Sequence, residues 1–198
     1  MFDFENVKSE FIKNGGILKT SELNLLGLTS RQIKRLVEDG NIIKIKYGFY
    51  ELSDYFTQDE VIIARLFPDS VIFLESALMH YDYTDRIPSS WQIAVDKDSE
   101  KSKYKIDYPS IEPFYIEKGY MNIGLTNYQL DGIKINIFNR DRTICDVLKY
   151  EKKLDKEIFN QAIKSYLKDD KKNLTLLYKY SKLLNIKGKV KTFIGVWL

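Results

Sequence analysis

The segment from Gly27 to Leu52, GLTSRQIKRLVEDGNIIKIKYGFYEL, constrains the fold more than any other part of the chain. Thr29 and Gln32 have the spacing of a capping box, in which each side chain bonds to the other residue's backbone N–H. Gly40 is placed to end the helix in the left-handed conformation. The sequence therefore predicts a helix with a fixed start and a fixed end.

One face of this predicted helix is apolar. Ile33, Leu36 and Val37 recur at helical spacing, and Leu28 can form a hydrophobic staple with Ile33. The basic residues of the helix fall outside this stripe, at Arg31, Lys34 and Arg35.

The residues that follow the helix, NIIKIKYGFYEL, predict a β-hairpin. Gly48 can take the positive φ that its tight turn needs. Because Ile43 and Ile45 alternate with Lys44 and Lys46, we expect one apolar and one cationic face on this hairpin.

Two earlier helices complete the N-terminal region. One carries Phe4, Val7, Phe11 and Ile12 at helical spacing and ends at Gly15, and a short second helix covers Ser21 to Leu26. Three helices followed by a hairpin is the order of a winged helix-turn-helix.

In a winged helix-turn-helix the exposed cations can contact DNA. Side chains near the start of the second helix of the motif reach base edges in the major groove, and hairpin side chains lie on the backbone or in the minor groove. The predicted DNA-binding residues are Ser30, Arg31, Lys34, Arg35, Lys44, Lys46 and Tyr47. The alternative is a solvated helix and wing that serve protein contacts, since winged helices have both uses.

The remainder of the chain has mixed patterning. A helix is predicted from Ser70 to Tyr81, a strand at WQIAVD, and a type I′ turn at Asp131-Gly132 between two strands. From Arg140 onward apolar residues recur at helical spacing. The predicted fold class is α+β, with an N-terminal winged helix-turn-helix domain over residues 1–56 and a mixed α/β C-terminal domain over 57–198 that ends in helices.

Charge is distributed unevenly. The net charge is +3, yet residues 145–198 carry thirteen Lys against six Asp or Glu. A second basic surface, for DNA or for an acidic partner, is therefore predicted at Lys149, Lys152, Lys153, Lys156, Lys164 and Lys168. The alternative is an ordinary solvated helix face.

Enzyme and metal chemistry find little support. The chain has one His and one Cys, which cannot form an ordinary zinc site, and we expect His80 and Cys145 to be structural. The carboxylates Asp82, Asp85, Asp96 and Asp98 and the triplet Glu151-Lys152-Lys153 leave a metal-dependent nuclease open as a minor alternative. No cofactor or metal is predicted.

Three segments resemble the AbiE abortive-infection antitoxins (AbiEi), the antitoxin half of type IV toxin–antitoxin systems. They are LVEDGNIIKIKYGFYEL, ESALMHYDYTDRIPSSWQIAV and FNRDRTICDVLKYEKKLDKEIFNQAIKSYL. The middle segment is similar to the family's helix, LT-x-x-IP and strand, with Tyr83 in place of the Leu. The last is similar to its RT-x-x-D helix, matched by Arg142, Thr143 and Asp146.

This resemblance implies a non-enzymatic, cytoplasmic phage-defence protein. Its N-terminal winged helix would repress its own promoter by binding inverted repeats in double-stranded DNA. Its C-terminal domain would neutralise a nucleotidyltransferase-like toxin, with or without a stable complex, and assist DNA binding. We expect Arg142, Thr143 and Asp146 to cap and pack a helix, and the protein to be a monomer that pairs on DNA. A winged-helix regulator with a ligand-sensing C-terminal domain remains the alternative.

No signal peptide is apparent in MFDFENVKSEF, and no apolar run reaches the length of a membrane span. The expected location is the cytoplasm, without membrane contact.

Overall fold

A computed structural model describes residues 4–195, so residues 1–3 and 196–198 of the two predicted domains lie outside it. The helices are α1 (Phe4–Lys13), α2 (Thr20–Leu25), α3 (Ser30–Glu38), α4 (Asp59–Leu66), α5 (Leu74–His80), α6 (Lys118–Met121), α7 (Arg140–Lys149), α8 (Lys156–Lys168), α9 (Leu174–Leu183) and α10 (Lys187–Ile194). The strands are β1 (Ile17–Lys19), β2 (Ile42–Lys46), β3 (Phe49–Leu52), β4 (Val71–Ile72), β5 (Trp91–Asp96), β6 (Ile111–Ile116), β7 (Leu125–Leu130) and β8 (Ile133–Phe138). The fold is α+β, as predicted.

The chain forms two compact units. The first comprises Met1–Asp69, Tyr104–Ser110 and Tyr128–Ile135, and the second comprises Ser70–Lys103, Ile111–Asn127 and Asn136–Leu198. This grouping differs from the predicted division at residue 56, because α4 belongs with the elements before it. Arg65 on α4 donates to Ile17 O at 3.1 Å and to Glu22 Oε2 at 2.5 Å.

The first unit contains a three-stranded antiparallel sheet in the order β1-β3-β2. Helices α1, α2 and α3 contribute to one core with this sheet. The buried members are Val7, Phe11, Leu18, Leu23, Leu28, Ile33, Leu36, Ile42 and Leu52. Ile12, predicted on the apolar face of α1, is 44% exposed, so that face is narrower than its sequence spacing indicated.

The predicted limits of α3 are confirmed. Thr29 is the N-cap, its Oγ1 accepts from Gln32 N, and its own N–H donates to Gln32 Oε1 at 2.8 Å. Gly40 has φ 74°, and Asn41 N donates back to Leu36 O, which closes the last turn. These local bonds fix which α3 residues face the core and which face solvent.

The predicted faces of the β2–β3 hairpin are wrong. Ile42 is the buried residue of β2, whereas Ile43 is 51% exposed and Ile45 is only partly buried. The register shifts between Lys44 and Lys46, so alternation does not persist along the strand. Gly48, at the turn, has the expected positive φ of 78°.

A five-stranded mixed sheet has the order β6-β5-β4-β8-β7. Strands β4, β5 and β6 belong to the second unit, and residues 128–135 of the β7–β8 hairpin are grouped with the first. Strand β4 pairs antiparallel with β5 and parallel with β8, and β5 pairs parallel with β6. The β7–β8 turn has Asp131 at φ 50° and Gly132 at φ 76°, which fits the predicted type I′ turn.

Four consecutive helices, α7 to α10, end the described chain and share a large core with this sheet. Helix α7 is buried along most of its length, including its polar residues. The predicted helix from Ser70 to Tyr81 is shorter than expected, because Val71 and Ile72 form β4 before α5 begins at Leu74.

Candidate nucleic-acid interface

The exposed side of α3 presents four of the seven predicted DNA-binding residues. Ile33 and Leu36 are 3% and 4% exposed against the core, and Val37 is partly buried against it. The exposed predicted residues of the helix are Ser30, Arg31, Lys34 and Arg35. The exposed side of α3 is thus a polar, cationic surface from Ser30 to Arg35.

Acidic residues partly offset this charge. Lys34 lies 3.5 Å from Glu38 and Arg35 lies 3.5 Å from Asp39, each pair one helical turn apart. Among residues 4–195, Arg31 has no carboxylate at ion-pair distance. Exposed pairs of this kind contribute roughly 0.2–1 kcal/mol, so a phosphate or a base could displace either acid.

Arg35 also borders an open depression of about 380 Å³. The lining residues are Phe4, Gln32, Arg35, Leu36, Asp39 and Asn41. Arg35 is therefore part of both the exposed side of α3 and the wall of this depression. Arg31 lies nearer the start of the helix.

The hairpin supplies two further predicted residues. Tyr47 is 89% exposed, Lys44 is exposed, and the Lys44 ammonium lies 5.5 Å from the Tyr47 ring centroid. A cation beside an exposed aromatic ring can contact both phosphate and base or sugar.

Lys46 differs from the other six residues. It is partly buried, and its ammonium lies 4.6 Å from the centroid of the Phe67 ring in the same unit. The register shift in β2 directs it there, which alternation alone could not reveal. Its side chain is engaged within the first unit, unlike that of Lys44.

The predicted second basic surface consists of exposed residues. Lys149, Lys152, Lys153, Lys156, Lys164 and Lys168 are all exposed, on α7, α8 and the short helix Glu151–Lys153 between them. Two acidic residues, Asp155 and Glu157, lie next to Lys156 in the sequence. Both form ion pairs with Arg86. The surface is mixed in charge near the start of α8, and the exposed Asp170 lies two residues after Lys168.

The residues of the RT-x-x-D helix are buried and paired. Arg142 Nε donates to Asp146 Oδ2 at 2.9 Å, and both side chains are 1% exposed. Burial raises the pKa of the Asp146 carboxyl to about 6. The positive charge of Arg142 and the hydrogen bond that Arg142 donates both limit this rise. Thr143 Oγ1 donates to Phe138 O, and the N-cap is Asn139. This geometry fits the expected packing role, and the capping is done by Asn139.

A buried tyrosine network surrounds the start of α7. Tyr166 Oη donates to Asp141 at 2.8 Å, and Tyr83 Oη donates to Asp169 at 2.6 Å. Burial, followed by these carboxylates, raises the pKa of both phenols. Arg140 Nε donates to Asp169 at 2.8 Å, so the network is a satisfied structural one.

The other candidate chemical groups are dispersed. Cys145 is fully buried, its thiol donates to Leu177 O, and burial raises its pKa, which makes it unreactive. His80 is the last residue of the apolar helix α5 and is itself exposed. Within residues 4–195 no three His, Cys, Asp or Glu side chains come together as metal ligands would.

One cationic cluster of the structure was not predicted from the sequence. Tyr178 on α9 lies among Lys182, Lys187 and Lys191 from α9 and α10. The available signal was the run from residue 171 to 198, which has seven lysines and no Asp or Glu.

Comparison with protein-family models gave no match, and comparison with curated proteins gave no significant match. In the part of the chain from residue 4 to 195, no helix combines the length and the apolar character that crossing a membrane requires.

Proposed function

We propose that the first unit is a winged helix-turn-helix that binds double-stranded DNA, and that the protein is a transcriptional repressor of its own promoter. The observation that carries this proposal is the exposed N-terminal half of α3, with Arg31 directed to solvent and the apolar side of the helix buried. A recognition helix needs this combination of a fixed inner face and a cationic outer face.

The order of elements supports the same proposal. Helices α1, α2 and α3 precede the β2–β3 hairpin, and β1, between α1 and α2, pairs with β3. A short strand that joins the hairpin in this way is typical of winged helices, where the hairpin is the wing.

Individual roles follow from the positions of the side chains. Arg31 can pair bidentately with a guanine, and Lys34 and Arg35 can leave their acidic partners for phosphate or base. Lys44 and Tyr47 at the wing would contact the backbone or the minor groove. Lys46 is not among the proposed DNA contacts, because its ammonium lies against the Phe67 ring.

A gel shift on the DNA upstream of the gene, titrated with salt, tests the DNA-binding proposal. Arg31→Ala and Arg35→Ala should each weaken binding by roughly 1–3 kcal/mol if the side chain contacts a base. Lys13→Ala removes an equal charge from the exposed side of α1 and should have little effect. Equal affinity for all three variants and wild type, with folding intact, would refute the assignment of α3.

We further propose that the protein is the antitoxin of a type IV abortive-infection system. This part rests on the resemblance to AbiE antitoxins, together with the exposed lysines of the second basic surface. The partner would be a nucleotidyltransferase-like toxin, and two monomers would pair on inverted repeats.

Co-expression tests this second part separately. If the adjacent reading frame encodes a nucleotidyltransferase-like protein, expression of that protein alone should arrest growth, and the wild-type chain should restore it. Lys164→Gln/Lys168→Gln should weaken rescue, whereas Arg31→Ala should leave it intact. Rescue that needs Arg31 but neither lysine would contradict this division of surfaces.

A further inference from the structure

A further cationic cluster in the second unit is formed by residues outside the two surfaces described above. Helix α9 contributes Tyr178 and Lys182, one turn apart, and α10 contributes Lys187 and Lys191, also one turn apart. The connection between the helices includes Asn185 at φ 58°, which turns the chain sharply. The Lys182 and Lys187 ammonium groups lie beside the Tyr178 ring, and Lys191 follows Lys187 by one helical turn.

The contacts define a compact patch. The Lys182 ammonium lies 4.4 Å from the Tyr178 ring centroid, and the Lys187 ammonium lies 5.7 Å from it. A hydrogen bond from Lys187, with the charges of Lys182, Lys187 and Lys191, lowers the pKa of the Tyr178 phenol below its ordinary value. A phenol that loses its proton more easily than usual reports a locally positive potential.

Nothing within the described chain neutralises this patch. Among residues 4–195, Lys182, Lys187 and Lys191 have no carboxylate at ion-pair distance. Lys189, on the same helix α10, provides a contrast because it pairs with Glu151 at 3.2 Å and donates to Leu148 O. Three like charges held together are unfavourable for the fold, and an anionic ligand would relieve that repulsion.

The donors indicate which anion fits. Lysine ammonium groups are compact point charges that bind phosphate without a fixed fork geometry. Two of them beside one ring, with Lys191 one helical turn from Lys187, match several phosphate groups better than a single carboxylate. We propose that Tyr178, Lys182, Lys187 and Lys191 form a binding site for a ligand with closely spaced phosphates, either a free polyphosphate or nucleotide or the backbone of a single-stranded nucleic acid. This site does not depend on the proposed DNA-binding role of α3.

Titration of the Tyr178 phenol tests the site directly. The difference in alkaline absorbance between the wild-type protein and Tyr178→Phe isolates this phenol from the other tyrosines. Inorganic tripolyphosphate should raise the pKa of Tyr178 towards its ordinary value, because the bound anion offsets the lysine charges. Sodium chloride at equal ionic strength serves as the screening control.

Charge variants provide the second measurement. Lys182→Gln/Lys187→Gln/Lys191→Gln should weaken tripolyphosphate binding roughly tenfold or more, since each phosphate contact carries part of the affinity. Lys13→Gln/Lys105→Gln/Lys118→Gln removes the same charge from exposed positions elsewhere and should bind as wild type. All six residues are on the surface, so circular dichroism should show both variants folded.

The ligand class follows from a comparison of probes. A response to tripolyphosphate but not to oligothymidylate supports a nucleotide-like ligand, and a response to both supports a nucleic-acid backbone. The proposal is overturned if neither probe shifts the phenol beyond sodium chloride, or if the two triple variants bind equally. A failed gel shift on the upstream DNA leaves this outcome unaffected, so the two proposals fail separately.

Discussion

Replacement of Arg142 is the sharpest test of how the second unit is held together. Its guanidinium is 1% exposed and lies 4.2 Å from the Phe138 ring centroid. It donates to Asp146 Oδ2 at 2.9 Å and to the carbonyl oxygens of Tyr120 and Ile123 at 2.8 Å each. One side chain thus joins α7 to α6 and to the residues that follow α6.

Arg142→Met keeps most of the apolar volume and removes the charge and all three donated bonds. Removing one partner of a buried ion pair costs about 3–5 kcal/mol, because the other charge stays buried without compensation. Two backbone carbonyls also lose their donor. We therefore expect the free energy of unfolding of the second unit to fall by about 3–5 kcal/mol at pH 8.

The loss of stability caused by Arg142→Met should be smaller at low pH than at high pH. The pKa of Asp146 in the folded protein is about 6, above the ordinary value of about 3.9 in an unfolded chain. The folded state therefore holds the proton more tightly between these values, and this group makes stability fall as pH rises from 4 to 6. Without Arg142 the pKa rises further and this range extends upward. At pH 5 Asp146 is already largely protonated in both proteins, so Arg142→Met should cost less there than at pH 8.

Urea unfolding followed by tryptophan fluorescence measures both effects, because Trp91 lies on β5 in the same unit. Lys164→Met, an exposed change on α8, is the control and should stay within about 0.5 kcal/mol of wild type. A cost below about 1 kcal/mol, or an equal cost at pH 5 and pH 8, would refute the reasoning.

Further predictions concern the wing, the turns and the thiol. Lys44→Ala should reduce the salt dependence of DNA binding by about one phosphate contact, whereas Lys46→Ala should not, and gel shifts at several salt concentrations compare them. Gly40→Ala should cost about 1 kcal/mol from its positive φ alone, since an added Cβ meets nothing within 4 Å. Gly124→Ala should cost more in thermal unfolding, because its Cβ would lie 2.5 Å from that of Arg142. Cys145 should react with a thiol reagent at pH 8 only after denaturation, and fast labelling of the native protein would contradict its burial.

Local signals allowed much of this fold to be predicted. The capping box at Thr29 and the turns at Gly40 and Gly48 depend on residues close in sequence, and each has the predicted geometry. Strand β5 covers the same residues as predicted, Trp91–Asp96, because its apolar run Ile93–Val95 lies between turn-like segments.

Features that depend on distant partners could not be predicted in this way. The strand β1 has only three residues and exists because Ile17–Lys19 pairs with Phe49–Glu51. Neither the orientation of Lys46 nor the exposure of Ile43 can be read from alternation, because the β2 register shifts against β3. The Tyr178 cluster likewise needs the turn at Asn185, which places residues from two helices side by side. The spacing of residues in the sequence predicts single helices and strands. It does not predict features that depend on contacts between several of them.

The division of the chain into compact units has an evolutionary consequence. The chain passes from one unit to the other five times, after residues 69, 103, 110, 127 and 135. Recombination at a single point therefore cannot exchange one unit for a homologous or foreign module without cutting the other. A change in what this protein recognises would therefore have to arise by substitution of single residues. The surfaces of the two units would be inherited together and not exchanged separately.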